Sequence, residues 1–104
     1  MQPILNFLGL ANRAGKVVSG QDLVVKAVQH RQAVLVIIAN DASEQSKKLY
    51  IDKCRFYHTT YQFFATKDSL GNAIGKEARS ACAILDNGFA KKLVSMIEQN
   101  SGGE

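Results

Sequence analysis

Seven consecutive apolar residues, Ala33-Val34-Leu35-Val36-Ile37-Ile38-Ala39, constrain this chain more than any other stretch. The run is short and mostly β-branched, and it shows no alternation between apolar and polar positions. A strand half-exposed to water would alternate; one apolar on both faces belongs in the centre of a sheet covered by helices on both sides. The run is far too short to span a bilayer.

Helical patterns alternate with strands around it. Met1 to Ala14 reads as an amphipathic helix, with Pro3 suited to its first turn and Ile4, Leu5, Leu8 and Ala11 on one face. Gly15 stops it in a position that tolerates positive φ, and Val17-Val18 forms a short first strand. After the Ser19-Gly20 break, Leu23, Val24, Ala27 and Val28 mark a second helix from Gln21 to Arg31. Beyond the central strand, Asp41-Ala42-Ser43-Glu44 reads as a capping box with Asp41 as N-cap, opening a third helix to about Tyr57. Its apolar face is thin (Leu49, Tyr50, Cys54, Tyr57), as on a surface helix.

Thr60 to Phe64 reads as a strand, and Thr66 caps a short helix that Gly75 ends. Ala81-Cys82-Ala83-Ile84-Leu85 is a further apolar strand. Asn87-Gly88 is expected to turn the chain into a last helix through Phe89, Ala90, Leu93, Val94 and Ile97. The order α-β-α-β-α-β-α-β-α predicts a three-layer α/β/α sandwich on a four-stranded mixed sheet. We expect one domain over residues 1–98 and a frayed tail over 99–104.

The chemistry such a scaffold could carry narrows quickly. A net charge of +4 favours an anionic partner, of which nucleic acid is the commonest. The N-terminus lacks a basic and then apolar leader, and two cysteines make no disulfide framework; a cytoplasmic protein with free thiols and no membrane partner is expected. The stretch from Gly9 to Val17 imitates a phosphate loop. However, five residues separate Gly9 from Gly15, one too many, and Val17 stands where a magnesium-binding hydroxyl is required. Cys54 and His58 fall one helical turn apart, but two ligands hold no zinc. Cys82 sits in a core strand, away from the exposed, electropositive setting that a thiol nucleophile needs. Asp68, Glu77 and Asp86 are not forced into a pair. No enzyme activity and no cofactor are expected.

What remains is a strand–turn–helix at Ser19-Gly20-Gln21, whose helix N-terminus presents unpaired N–H groups to an anion. Lys26, one turn into the helix, leans back over it. Lys76 and Arg79 flank a second loop after Gly75, and Asn12 and Arg13 are expected near Gly15.

Three separated motifs carry a resemblance. Gly20-Gln21-Asp22-Leu23-Val24-Val25-Lys26-Ala27-Val28, then Leu35-Val36-Ile37-Ile38-Ala39-Asn40-Asp41-Ala42, then Leu70-Gly71-Asn72-Ala73-Ile74-Gly75-Lys76-Glu77-Ala78 resemble the L-seven-Ae and thirty-e ribosomal-protein family. The stretch from Leu8 to Lys16 looks most like its bacterial YlxQ-like branch. The resemblance implies an α/β/α sandwich and binding of kink-turn RNA. In that mode the helix N-terminus enters the major groove beside tandem G·A pairs, and the later loop packs on a flipped-out base.

The contacts then expected are Gly20, Gln21, Asp22, Lys26, Lys76, Glu77, Ala78 and Arg79, and the partner is structured RNA of ribosomal type. The chain departs from the family's strong binders in both motifs: they carry Asn and Glu where this chain has Asp22 and Leu23, and an apolar pair in the later loop where this chain has Lys76 and Ala78. Asp only accepts hydrogen bonds and Leu makes none. These departures motivate the alternative of a protein-interaction module on the same fold, with ribosome-associated partners and RNA binding weakened or lost.

Overall fold

The first helix forms where Pro3 occupies its opening turn and Ile4, Leu5, Leu8 and Ala11 bury one stripe; it is α1, Gln2–Arg13. The computed structural model describes the backbone of residues 1–102 and the side chains of residues 1–100. Gly15, at φ +76°, lets the chain leave α1 and enter β1, Val17–Ser19. Then follow α2 (Gln21–Gln29), β2 (Leu35–Ile38), α3 (Glu44–Tyr57), β3 (Thr60–Phe63), α4 (Lys67–Ala73), β4 (Ala81–Ile84) and α5 (Asn87–Gly102).

The sheet is mixed, in the order β1-β4-β2-β3. β2 and β3 run parallel, with Leu35 opposite Thr60, and β4 runs antiparallel to both β1 and β2, with Val17 and Leu35 each opposite Ile84. All four residues of β2 and of β4 are buried, as expected of the two central strands. Helices α2 and α3 pack on each other, while α1 packs on α4 and α5, which gives the expected three layers. The core continues through Leu8, Val24, Val28, Leu70, Leu93 and Ile97.

Two local expectations are corrected. The cap of α3 is Ser43, whose hydroxyl accepts from the Ser46 N–H at 3.1 Å. Asp41 instead accepts from the Lys67 N–H at 2.8 Å, so its carboxylate ties the β2–α3 loop to the start of α4. Asn87-Gly88 is not a separate turn: Asp86 accepts from the Phe89 N–H at 2.9 Å, so α5 begins at once. Helix α5 is described through Gly102; of the tail expected over 99–104, Gly103 and Glu104 lie outside the described residues. Leu23, whose burial the spacing left open, is 55% exposed. The buried face of α2 is Val24, Ala27 and Val28, and Leu23 sits at the first turn, where side chains lean toward the helix start and beyond the sheet.

Thr66 caps α4 as expected, its hydroxyl accepting from the Ser69 N–H. Within α4, Gly71 is held by contact rather than by conformation. A Cβ there would collide with the Glu77 carbonyl and come within 3.0 Å of the Lys76 oxygen. The Lys76 N–H donates to the Gly71 carbonyl at 2.8 Å, which closes the chain tightly over the helix end. Both cysteines are free and buried. Burial pushes their thiols up, Cys54 to about 11 and Cys82 to about 12. Among the described residues no helix is long and apolar enough to cross a membrane.

Gly71→Ala should lower stability by about 1–3 kcal/mol through this overpacking, read as a fall in the urea midpoint. An unchanged midpoint would mean that the loop yields freely. The raised thiol pKa values make a second prediction. The unfolded chain loses these protons before the folded one, so their contribution is complete below the ordinary thiol range and drains away as pH rises toward 11–12. Cys82→Ala should flatten that alkaline loss in urea titrations taken at neutral and alkaline pH.

Candidate nucleic-acid interface

Because β4 is antiparallel to its neighbours, its first residue lies at the sheet end where β1 and β2 finish, and β3, parallel to β2, finishes there too. Four connections therefore meet at one end: β1–α2, β2–α3, β3–α4 and α4–β4. Backbone hydrogen bonds stitch them together. The Ala39 N–H donates to Ser80 O, the Asn40 N–H to Ala65 O and the Arg79 N–H to Lys67 O, at 2.9, 2.9 and 3.0 Å.

The β1–α2 connection turns at Gly20, which has φ +90° and ψ 149°. A Cβ would find open space there, so it is the backbone conformation that requires glycine. Gly20 is also the N-cap of α2 and supplies no side-chain acceptor, leaving the first-turn N–H groups without a side-chain cap. Gln21, Asp22 and Leu23 are exposed around this helix end, and Lys26 is exposed one turn on. Asp22 lies on the favourable side of the helix dipole.

The α4–β4 connection leaves through Gly75, at φ +70°, and carries Lys76, Glu77 and Ala78, all exposed. Arg79, half-buried, joins the two loops: its Nε donates to Ser19 Oγ at 3.1 Å and its Nη1 to Ala78 O at 3.2 Å. The structure thus brings Gly20 and the Gly75–Arg79 loop together, but it uses much of the Arg79 guanidinium to hold them rather than leaving it wholly to a ligand. Among the described residues the ion pairs are Lys47–Glu44 and Lys48–Asp52, both on α3. Lys26 and Lys76 therefore face solvent without a carboxylate partner there. On these two loops and the first turns of α2, the cations Lys26, Lys76 and Arg79 stand with the carboxylates of Asp22 and Glu77.

Asn12 also reaches it: its Nδ2 donates to Ile74 O at 3.3 Å, tying the end of α1 to the residue before Gly75. Beside it, a groove of about 690 Å³ runs between α1 and α4, past Asn12, Arg13, Asn72 and Gly75. Under the surface, the Tyr50 hydroxyl and Ser80 Oγ lie 2.7 Å apart. Burial raises the Tyr50 pKa, the Ser80 hydrogen bond opposes this, and the nearby Asp22 charge adds to it. Among the described residues, no three His, Cys, Asp or Glu side chains come together as a metal group.

The supports that sequence reasoning missed are Ser19, Gly71, and the Asp41 and Ser80 side chains. Only Gly71 left a signal: a glycine inside a helix asks for a packing reason.

Comparison with known proteins agrees with this architecture. A profile described as "Ribosomal protein L7Ae/L30e/S12e/Gadd45 family" matches residues 2–94. The RNA-binding protein YlxQ of Bacillus subtilis (strain 168) is 48% identical, the match covering 88% of this chain and 91% of that one. YlxQ of Enterococcus faecium is 39% identical, covering 93% of each. The large ribosomal subunit protein eL8 of Cenarchaeum symbiosum is 34% identical over 93% of this chain and 78% of its own. A solved structure of a protein of unknown function from Bacillus halodurans C superposes with TM-score 0.88 at 41% identity, covering 91% of this chain and 96% of that one. The Giardia lamblia 15.5kD RNA binding protein superposes at 0.73 and 22% identity, covering 91% and 84%, a likeness of fold. With its profile spanning nearly the whole α/β/α sandwich and its relatives at this level of identity, the chain belongs to the ribosomal protein L7Ae/L30e/S12e/Gadd45 family, consistent with a YlxQ-like branch.

Proposed function

We propose that this protein is a non-enzymatic, cytoplasmic RNA-binding protein, ribosomal-protein-like, that contacts structured RNA of the kink-turn type. The observation that carries the reading is the Arg79–Ser19 bond. It sets the uncapped N-terminus of α2 and the Lys76–Ala78 loop side by side on one sheet end. Gly20 and Gln21 offer backbone N–H groups to a phosphate or base edge. Asp22 accepts from a base amino group, and Lys26 and Lys76 neutralise phosphates on either side. Ala78, small and exposed, leaves room for an unstacked base to lie against the loop. The names of the relatives support the RNA, two being RNA-binding proteins and another a large-subunit ribosomal protein.

A second reading has an observation in its favour. Leu23, 55% exposed beside the turn, offers apolar contact and no hydrogen bond. A protein partner would bury it. Co-purification with and without ribonuclease separates the readings: a partner that stays after ribonuclease treatment favours the protein, and one that leaves favours RNA.

The titration that tests the main reading compares a kink-turn duplex with a plain duplex at several salt concentrations. The kink-turn should bind more tightly throughout; equal affinity at every salt contradicts the proposal. Lys26→Ala should weaken binding by about fivefold and lower the salt slope by about one. Asp22→Asn removes a repelling charge and adds a donor, so it should tighten binding by about fivefold. Ser19→Ala should weaken RNA binding while costing only about 1 kcal/mol of stability, because the two loops lose their tie.

A further inference from the structure

At the other end of the sheet β2 and β3 begin and β4 finishes, and a cleft of about 320 Å³ opens there. Arg31, Tyr57, His58, Thr59, Thr60 and Asn87 line it, and no carboxylate does. Two sharp turns build it. Arg31, just past the end of α2, and His58, just past α3, both take left-handed backbone, at φ 58° and 59°. Each turn folds the chain back so that both basic residues reach the same cleft.

Aromatic rings stand at its rim. The Arg31 guanidinium lies 5.9 Å from the centroid of the Tyr57 ring. The Phe56 ring meets Tyr57 edge-on, 4.9 Å between centroids and 75° between planes. Phe56 itself is 73% exposed, more than any other large apolar side chain among the described residues. Keeping a ring in water earns nothing for the fold, whereas a nucleobase stacked on it removes apolar area from water.

We propose that this cleft is a second RNA-contact site, which takes one unpaired nucleotide of a single-stranded segment. Its base stacks on Phe56 and its phosphate lies at Arg31 and His58. Thr59, Thr60 and Asn87 supply donors and acceptors for the base and ribose edges. The cleft takes the phosphate and ribose while the base lies outside it on Phe56, and a lining that adds Arg31, His58, two threonines and Asn87 to Ala33 and Val34, without a carboxylate, suits a phosphate better than an apolar protein segment. The inference rests on the reading that RNA is the partner, but not on kink-turn recognition. The protein would then grip RNA at both ends of its sheet, structured RNA at Gly20 and a flanking single strand at Phe56.

The test uses the full chain and a fluorescently labelled, unpaired oligouridine RNA, followed by anisotropy. Phe56→Ala and Arg31→Ala should each weaken oligouridine binding by about fivefold to thirtyfold, and Phe56→Tyr should restore it, as stacking on a ring requires. Both side chains are exposed, so thermal midpoints should hold and affinity for the structured duplex should change by less than about twofold. Three results would overturn the proposal: no oligouridine binding, binding indifferent to Phe56 and Arg31, or binding lost only with Lys26→Ala. The first two would leave Phe56 to a protein partner. Failure of kink-turn discrimination, with Phe56-dependent oligouridine binding intact, would count against the function proposed for the Gly20 end alone.

Discussion

One strand direction organises this molecule. β4 lies between β1 and β2 and runs against both, so the residues that precede it emerge where β1 and β2 end. An all-parallel sheet would have sent the Gly75–Arg79 loop to the far pole, away from Gly20. With β4 reversed, two loops some 60 residues apart meet, and Arg79 fastens them through Ser19 Oγ. The guanidinium of Arg79 thus serves partly as architecture, and Lys26 and Lys76 are the exposed cations of the α2 start and of the loop before β4.

The loop before β4 is fixed from beneath as well. Gly71 lets the Lys76-Glu77 backbone lie directly on α4, Asp41 pins the first residue of α4 to the β2–α3 loop, and Ser80 holds the buried Tyr50 hydroxyl. Together they set a rigid backbone under exposed side chains, as recognition by helix N-termini and loop amides requires. Glu77 illustrates the division of labour: its carbonyl abuts Gly71 while its carboxylate faces solvent beside Lys76.

Sequence pattern carried most of the fold, because burial and periodicity are local properties. The unbroken apolar run around Val36 could only be a central strand, and the glycines at 15, 20 and 75 all take the positive φ expected of chain breaks. Helix starts were less legible. Asp41, Ser43 and Asp86 are all competent caps, and which one is used depends on what else lies near: Asp41 is drawn to the Lys67 N–H, which leaves Ser43 to cap α3. The exposure of Leu23 was equally hidden, since helical spacing alone sets it with Val24 and Ala27, and only the end of the sheet leaves it uncovered. The two clusters of candidate site residues could be found as motifs. Their junction through Ser19 could not, because it depends on strand order.

The central claim is that the α2 N-terminus and the loop before β4 act as one RNA-contact surface. Its most direct test is the backbone amide spectrum of the protein titrated with a kink-turn duplex. The account predicts that amides of residues 19–26 and 75–79 shift together, along one binding curve. Perturbations confined to one of the two segments, or absent from both while RNA binds elsewhere, would contradict it.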